Sequence, residues 1–227
     1  LQRNDGGAFD GNYYAVDTAL NFVIGYGRGD STLLGIGEFD GAAGDDLLFE
    51  RGDGSYVVVD GQTKTPAGLN RDAADMFAGI ADVDGNGTDE VLFKVATTGG
   101  TIAVDATGTL VLGYGRTTQD VVAVADFDGD GADDLLFDDA LSDAFIAVDG
   151  ATRAVQDRFI SDGSVVSVGN FMPNAEDDLL IEATDGSYRV TDTDGTELAS
   201  LGRPGDMVLA PDPLGTGVGL LEDILII

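Results

Sequence analysis

Two short stretches of the sequence place acidic and amide side chains at alternate positions between glycines. One runs from Asp126 to Asp134 as DFDGDGADD, and the other runs from Asp82 to Glu90 as DVDGNGTDE. Alternate side chains on a tightly turned loop can converge on one point, and glycine permits the backbone angles that such a turn needs. Ca²⁺ is a hard cation that takes about six to eight oxygen ligands. We therefore expect one Ca²⁺ in each stretch.

In each stretch the expected ligands are the side chains at positions 1, 3, 5 and 9 and the backbone carbonyl at position 7. They are Asp126, Asp128, Asp130, Ala132 and Asp134 in one stretch, and Asp82, Asp84, Asn86, Thr88 and Glu90 in the other. Asn at position 5 leaves the second stretch with less charge, so we expect it to bind more weakly. The alternative for both stretches is a solvated acidic turn.

Other metals fit the composition less well. The chain has no Cys and no His, which disfavours Zn²⁺. Mg²⁺ demands a stricter octahedral geometry and retains its water.

Three further stretches are degenerate. Residues 38–46 keep Glu38, Asp40 and Asp46 but have Ala42 at position 5. Whether a third ion binds in this stretch is therefore left open. Residues 170–178 carry the apolar Met172 at position 3, which argues against metal. Residues 212–223 form a longer segment that is poor in acids. We expect about two Ca²⁺ ions in all.

These stretches belong to an internal repeat, because positions 38, 82, 126 and 170 lie 44 residues apart. A second marker is an Asp that closes a short apolar run and is followed by an Arg. The Asp residues are Asp17, Asp60, Asp105, Asp149 and Asp192, and the Arg residues are Arg28, Arg71, Arg116, Arg158 and Arg203. A fixed period of this length is typical of propellers and solenoids.

Each unit is predicted to contain four short strands. In the third unit they span about 121–127, 135–138, 144–148 and 154–159, and no long helical stripe occurs. Four short strands per unit of this length are the signature of a propeller blade. The fold class is therefore all-β.

Five units fit the chain as one β-propeller domain over residues 1–227. The expected blades are 29–72, 73–116, 117–160, 161–204, and 205–227 joined with 1–28. Asp223–Ile227 matches the second strand of a unit and Tyr13–Asp17 matches the third. We expect these segments to pair and close the ring, which leaves no open sheet edge. A solenoid is the alternative.

Residues 126–137 resemble the FG-GAP or VCBS repeat, from which the integrin α-subunit propeller and several fungal and bacterial lectin-like propellers are built. The resemblance covers nearly the whole chain through its period. It implies that Ca²⁺ lies between the first and second strands of a blade and stiffens that hairpin. It also implies an extracellular setting. Integrin propellers have seven blades, so their binding sites are not transferred to this chain.

The charge limits the partners. With 42 acidic and 11 basic residues, the formal charge of −31 disfavours nucleic acid and anionic membrane surfaces. No apolar run is long enough to insert into a membrane. We expect a monomeric domain, alone or within a larger protein, that is secreted or on the surface of a bacterial or archaeal cell. The chain begins at Leu1, so we expect any export signal to lie outside it.

A ligand surface is the remaining question. The tetrapeptide GYGR occurs twice and contains Tyr26 with Arg28 and Tyr114 with Arg116, which could stack on and hydrogen-bond a sugar or an acidic ligand. The alternative is that each Arg bridges to carboxylates of a neighbouring blade. We expect a non-enzymatic extracellular calcium-binding module that displays a surface for a glycan or a protein. The alternatives are a polysaccharide hydrolase or lyase using an acidic central funnel, and a structural spacer.

Overall fold

The computed structural model describes residues 13–16, 22–26, 30–42, 44–115, 117–201, 208–209 and 225–226. All regular elements in these ranges are β-strands, so the expected all-β class is confirmed. The same ranges contain no helix long and apolar enough to cross a membrane.

Most of the chain forms four antiparallel sheets of four strands, each with its strands in chain order. Sheet 1 contains β3 (Ser31–Gly37), β4 (Asp46–Arg51), β5 (Tyr56–Val59) and β6 (Pro66–Gly68). Sheet 2 contains β7 (Met76–Ala81), β8 (Glu90–Lys94), β9 (Thr101–Val104) and β10 (Leu110–Tyr114). Sheet 3 contains β11 (Gln119–Ala125), β12 (Asp134–Asp139), β13 (Ala144–Val148) and β14 (Val155–Phe159). Sheet 4 contains β15 (Gly163–Gly169), β16 (Asp178–Ala183), β17 (Tyr188–Thr191) and β18 (Glu197–Leu201).

The four strands predicted for the third unit are all present. Only the first differs appreciably, because β11 ends at Ala125 rather than at Phe127. Phe127 already lies in the loop, where its backbone N–H donates to the side-chain carboxylate of Asp134 and not to a backbone carbonyl of the neighbouring strand. The acidic loop therefore begins where the sheet hydrogen bonding stops.

The core is divided among the interfaces between successive sheets. The first strands β3, β7, β11 and β15 lie side by side, and a separate apolar cluster fills each gap between sheets. Phe49, Phe93 and Phe137 occupy one repeat position in the second strands and are almost fully buried. Each sheet buries its faces against its neighbours, which is how repeat architectures obtain a continuous core.

Two shorter strand pairs lie toward the ends of the chain. β1 (Tyr13–Val16) pairs with β2 (Phe22–Tyr26), and β19 (Val208–Leu209) pairs with β20 (Leu225–Ile226). Within the described ranges no ladder joins β20 to β1. The structure thus shows four complete sheets, and the expected fifth blade and ring closure stay predictions.

Candidate metal centre

The acidic stretches form the loops between the first and second strands of the sheets. Loop 1 (residues 38–46), loop 2 (82–90), loop 3 (126–134) and loop 4 (170–178) occupy equivalent places. In loop 3 the glycines Gly129 and Gly131 have φ of 77° and 91°, in the left-handed region. This geometry allows the chain to turn back within nine residues and directs its acidic side chains inward.

Loop 3 brings together most of its predicted ligands. One carboxylate oxygen from each of Asp126, Asp128 and Asp134 lies within 4.8 Å of the other two. A cation that holds oxygens at about 2.3–2.6 Å can bridge oxygens separated by this distance. The Asp126 carboxylate also accepts the backbone N–H groups of Gly129 and Gly131 at 2.7 and 3.0 Å, which fixes its orientation.

Loop 2 repeats this arrangement. Oxygens of Asp82, Asp84 and Glu90 also lie within 4.8 Å of one another, and the Asp82 carboxylate accepts the backbone N–H of Gly87 at 2.7 Å. Asn86 Oδ1 accepts the backbone N–H of Thr88 at 2.8 Å. The longer Glu90 side chain thus reaches the same cluster that Asp134 reaches in loop 3.

Position 5 of loop 3 has a different set of neighbours from the one the sequence predicts. Asp130 groups with Asp128 and Asp149 within 4.8 Å. Its Oδ1 accepts the backbone N–H of Ala132, the residue predicted to supply a carbonyl ligand, at 2.8 Å. Asp149 follows β13, whose last residue Val148 pairs with Leu135, so the turn after the third strand lies at the same end of the sheet as loop 3. The signal for Asp149 was present in the sequence, because it is one of the five recurring Asp residues.

Gln156 on β14 is a second residue that the loop motif does not reveal. Its Nε2 donates to Asp128 Oδ2 at 2.8 Å and to Asp134 Oδ2 at 3.1 Å. Its Oε1 is buried and has no hydrogen-bond partner in the described part of the chain. A side chain from the fourth strand therefore supports the loop between the first and second strands.

The acid at position 9 is the buried member of each loop. Asp134 and Glu90 are 1% and 2% exposed, and their carboxylates accept the backbone N–H groups of Phe127 and Val83. Burial, with help from the nearby Asp84, raises the pKa of Glu90 to about 8. Burial likewise raises the pKa of Asp134 to about 6, with Asp128 adding to the effect. Both sites therefore favour a bound positive charge, either protons or a metal ion.

The acid at position 8 connects neighbouring sheets. The Asp133 carboxylate accepts the backbone N–H of Asp82 at 2.8 Å, and the Asp133 N–H donates to the Asp82 carbonyl at 2.8 Å. Asp89 makes the same pair of bonds with Glu38, and the Asp177 N–H donates to the Asp126 carbonyl at 2.9 Å. Sheets 2, 3 and 4 thus each hold the first loop residue of the preceding sheet, a role that the sequence analysis missed.

Loop 1 forms the same kind of carboxylate group as loops 2 and 3, whereas loop 4 does not. In loop 1 oxygens of Glu38, Asp40 and Asp46 also lie within 4.8 Å of one another. Among the described acids of loop 4 no such group forms, because positions 1, 3 and 5 hold Asn170, Met172 and Asn174 in place of acids. Asp178 there accepts the backbone N–H groups of Phe171 and Met172 instead. The donor set therefore fits a cation in loops 1, 2 and 3.

Of the predicted Tyr and Arg ligand pairs, only the side chain of Tyr114 lies within the described residues. Tyr114 is 5% exposed and its hydroxyl donates to the Gly150 carbonyl, so it serves as a contact between sheets 2 and 3. Its burial leaves little of the ring open for stacking, and its role in ligand binding stays a prediction. Arg28, Arg116 and the side chain of Tyr26 lie outside the described residues. Arg71 forms an ion pair with the buried Asp75, in agreement with a bridging role.

The pKa shifts predict how the stability of the metal-free protein depends on pH. Because the folded pKa values of Glu90 and Asp134 exceed those of the unfolded chain, the folded state binds more protons. The free energy of unfolding should therefore fall as pH rises from about 4 to about 8. Urea midpoints measured in chelator should be lower at high pH, and Glu90→Gln should flatten the curve. A urea midpoint that rises with pH would contradict the raised pKa values of Glu90 and Asp134 in the folded protein.

Comparisons with known proteins support the fold. The antiparallel four-stranded sheets form an all-β architecture consistent with a β-propeller. A protein of unknown function from Bacteroides caccae is similar at 10% identity and a TM-score of 0.52, over 84% of this chain and 69% of that one. BBS1N, in a complex with ARL6DN soaked with lead, is similar at 10% identity and a TM-score of 0.55, over 84% of this chain and 60% of that one.

The Dos1 propeller is similar at 15% identity and a TM-score of 0.52, over 87% of this chain and 54% of that one. The chain therefore spans little more than half the length of some structures that it matches. No protein-family model matches the chain, and no curated protein matches it. At these identities the likeness concerns the fold alone.

Proposed function

We propose that the chain is a non-enzymatic, calcium-binding β-propeller module related to the FG-GAP or VCBS repeats. One observation carries the proposal: equivalent loops on successive sheets converge three carboxylates on one point, and the innermost carboxylate is almost fully buried. Burial alone does not distinguish these loops, because Asp178 of loop 4 is equally buried, at 2% exposure. A solvated acidic turn has no need to converge three carboxylates around a buried one, since gathering unneutralised charge there is costly. A divalent cation offsets that cost.

Loops 2 and 3 each hold one ion in this proposal, and loop 1 is a weaker third site. Loop 1 has Ala42 where loop 3 has Asp130, so it offers one carboxylate fewer. The ion joins the first and second strands of a sheet. In sheet 3 it also joins them, through Asp149, to the turn that follows the third strand. Its role is structural, because it stiffens the hairpins.

Five blades and a closed ring are part of the same proposal. The pair β19–β20 lies at the chain position of first and second strands, and the pair β1–β2 lies at that of third and fourth strands. Together they supply the four strands of one more sheet. The module is placed at the surface of, or outside, a bacterial or archaeal cell, where millimolar Ca²⁺ fills sites of modest affinity, and it presents a surface to a glycan or a protein.

Calorimetry on chelator-treated protein tests the metal sites. We expect two principal sites in the wild type, with Asp128→Asn removing one and Asp84→Asn removing the other. The matched control is Asn170→Asp in loop 4, which adds an acid at position 1 but leaves Met172 in place. No heat at millimolar Ca²⁺, or equal binding by the wild type and both variants, would overturn the proposal.

A further inference from the structure

A cleft of about 520 Å³ opens between sheets 2 and 3, and no described residue of loops 1 to 4 lines it. One wall is the end of β10, and the floor is the ribbon formed by β13 and β14. Ile146 pairs with Arg158 and Val148 pairs with Val155 across this ribbon. Directly opposed residues of an antiparallel pair share a face. The floor is therefore an apolar strip that carries a guanidinium group.

A second guanidinium enters the same cleft from the turn between β13 and β14. Arg153 lies in that turn and lines the cleft together with Arg158. Both residues are exposed. Neither forms an ion pair or a side-chain hydrogen bond within the described part of the chain. The nearby Asp139 carboxylate accepts hydrogen bonds from Leu141, Ser142 and Thr118. The hydrogen bond from Ser142 lowers the pKa of Asp139, and the charge of Arg158 adds to the effect, so Arg158 lies near this acid without forming an ion pair with it.

Arg153 and Arg158 are two of the four described basic residues that form no ion pair with a described residue, and the other two, Arg51 and Lys64, line another cleft. The chain has 11 basic residues against 42 acidic ones, so pairing each base with an acid would be easy. The three ion pairs formed by described residues involve Arg71, Lys94 and Arg189. The guanidinium groups of Arg153 and Arg158 form no ion pair with a described residue and can both meet an external anion, although Arg158 also lies near the Asp139 carboxylate.

The backbone of Arg153 gives an independent reason to look for a function. Its φ of 62° lies in the left-handed region, where a side chain other than that of Gly is disfavoured. The equivalent turns of sheets 2 and 4 use Gly108 and Gly195, with φ of 78° and 85°. In sheet 1 the equivalent turn has Lys64, with φ of 60°. Lys64 lines a different cleft, of about 580 Å³. In both sheets a strained basic residue thus borders an open cleft, as strained residues at ligand sites often do.

We propose that the cleft between sheets 2 and 3 binds a carboxylate-bearing ligand with an apolar body. The two guanidinium groups fit the planar oxygens of a carboxylate, while Ile146, Val148 and Val155 contact the apolar part. A single negative charge also meets less repulsion from the acidic surface than a doubly charged phosphate does. The proposal assigns a ligand class to the binding module and rests on that part of the proposed function. The calcium sites do not enter it.

The test is a calorimetric titration of the Ca²⁺-loaded full chain with four probes: 3-phenylpropionate, acetate, the neutral 3-phenylpropanol and the doubly charged phenyl phosphate. We expect 3-phenylpropionate to bind, acetate to bind more weakly because it lacks an apolar body, and 3-phenylpropanol not to bind. Equal binding of 3-phenylpropionate and either acetate or 3-phenylpropanol, no binding of 3-phenylpropionate at about 10 mM, or tighter binding of phenyl phosphate would overturn the proposal.

Two variants make the result specific to the cleft. Arg153→Gly removes a guanidinium and relieves the left-handed strain, so it should weaken binding about tenfold or more while the melting temperature stays equal or rises. Arg158→Gln should weaken binding similarly. The matched control is Arg189→Gln on sheet 4, which removes the same charge and should leave the affinity unchanged. Equal loss in all three variants would show a general charge effect and refute the site.

Calcium titrations of the same variants separate the two proposals. Arg153→Gly should retain both calcium sites, and Asp128→Asn should retain the cleft. If the acids fail to bind while calcium binds as expected, only the cleft assignment fails. If calcium fails to bind while 3-phenylpropionate binds, only the metal proposal fails.

Discussion

Saturating Ca²⁺ should raise the melting temperature of the chelator-treated protein by about 10–20 °C. A ligand that binds only the folded state at about 100 times its Kd adds about 2.7 kcal/mol per site, so two sites add about 5 kcal/mol. For a chain of this size each kcal/mol shifts the melting temperature by about 2–4 °C. The physical origin is the charge cluster in loops 2 and 3, whose carboxylates repel one another without a cation.

Two controls separate site binding from general screening of the charge of −31. NaCl at matched ionic strength and Mg²⁺ at the same concentration should each give a clearly smaller shift, because neither supplies the coordination that Ca²⁺ takes. The double variant Asp84→Asn with Asp128→Asn should lose most of the Ca²⁺ shift. An equal shift from NaCl, or an undiminished shift in the double variant, would contradict specific binding.

Asp133→Ala should destabilise the metal-free protein by about 1–3 kcal/mol, the usual cost of leaving a buried hydrogen-bond donor without its acceptor. The donor is the backbone N–H of Asp82, which the Asp133 carboxylate accepts at 2.8 Å. Because this bond joins sheet 3 to sheet 2, its loss weakens an interface and not a single hairpin. The measurement is the free energy of unfolding from urea denaturation in chelator at pH 8.

Asp133→Asn is the matched control for that experiment. The Asn amide keeps an oxygen that can accept the Asp82 N–H, but it carries no charge. In the wild type, burial raises the pKa of Asp133 to about 6, which shows that its charged form is disfavoured there. Asp133→Asn should therefore be as stable as the wild type or more stable at pH 8. If Ala and Asn destabilise equally, the charge and not the hydrogen bond holds the sheets together, and the tie between sheets is wrong.

The repetitive part of the fold could be predicted because each unit repeats the same local pattern. The strand β13 coincides with the predicted span 144–148, and Phe137 is buried at the repeat position that also contains Phe49 and Phe93. The periodicity specifies the strands of each unit, and adjacent strands in a meander pair with their neighbours along the chain. Ring closure depends on pairing between segments far apart in sequence.

The candidate site could be predicted only as far as its ligands lie within one loop. The spacing of Asp126, Asp128 and Asp134 is a local pattern, and these side chains do converge. Asp149 and Gln156 reach the same cluster from other strands, so no spacing within the loop reveals them. Asp133 lies beside Asp134, and the sequence gives no reason to separate an acid that faces the loop from one that faces the next sheet.

Tyr114 shows how one local pattern fits two roles. It lies in a repeated Gly-Tyr-Gly-Arg segment, which suggests a stacking surface, yet its ring packs in the cluster between sheets 2 and 3. A repeated aromatic residue in a repeat protein serves the interface between units as readily as it serves a ligand. Of the exposed cations of the same cleft, Arg158 belongs to the recurring Arg series of the sequence, whereas Arg153 belongs to no repeated motif.

A crystal structure of the protein grown in Ca²⁺ tests the central claim most directly. Anomalous difference peaks should appear in loop 3, bounded by Asp126, Asp128 and Asp134, and in loop 2, bounded by Asp82, Asp84 and Glu90. Metal–oxygen distances should be about 2.3–2.6 Å, and loop 4 should show no peak. Ordered loops 2 and 3 without a metal peak at millimolar Ca²⁺ would contradict the account.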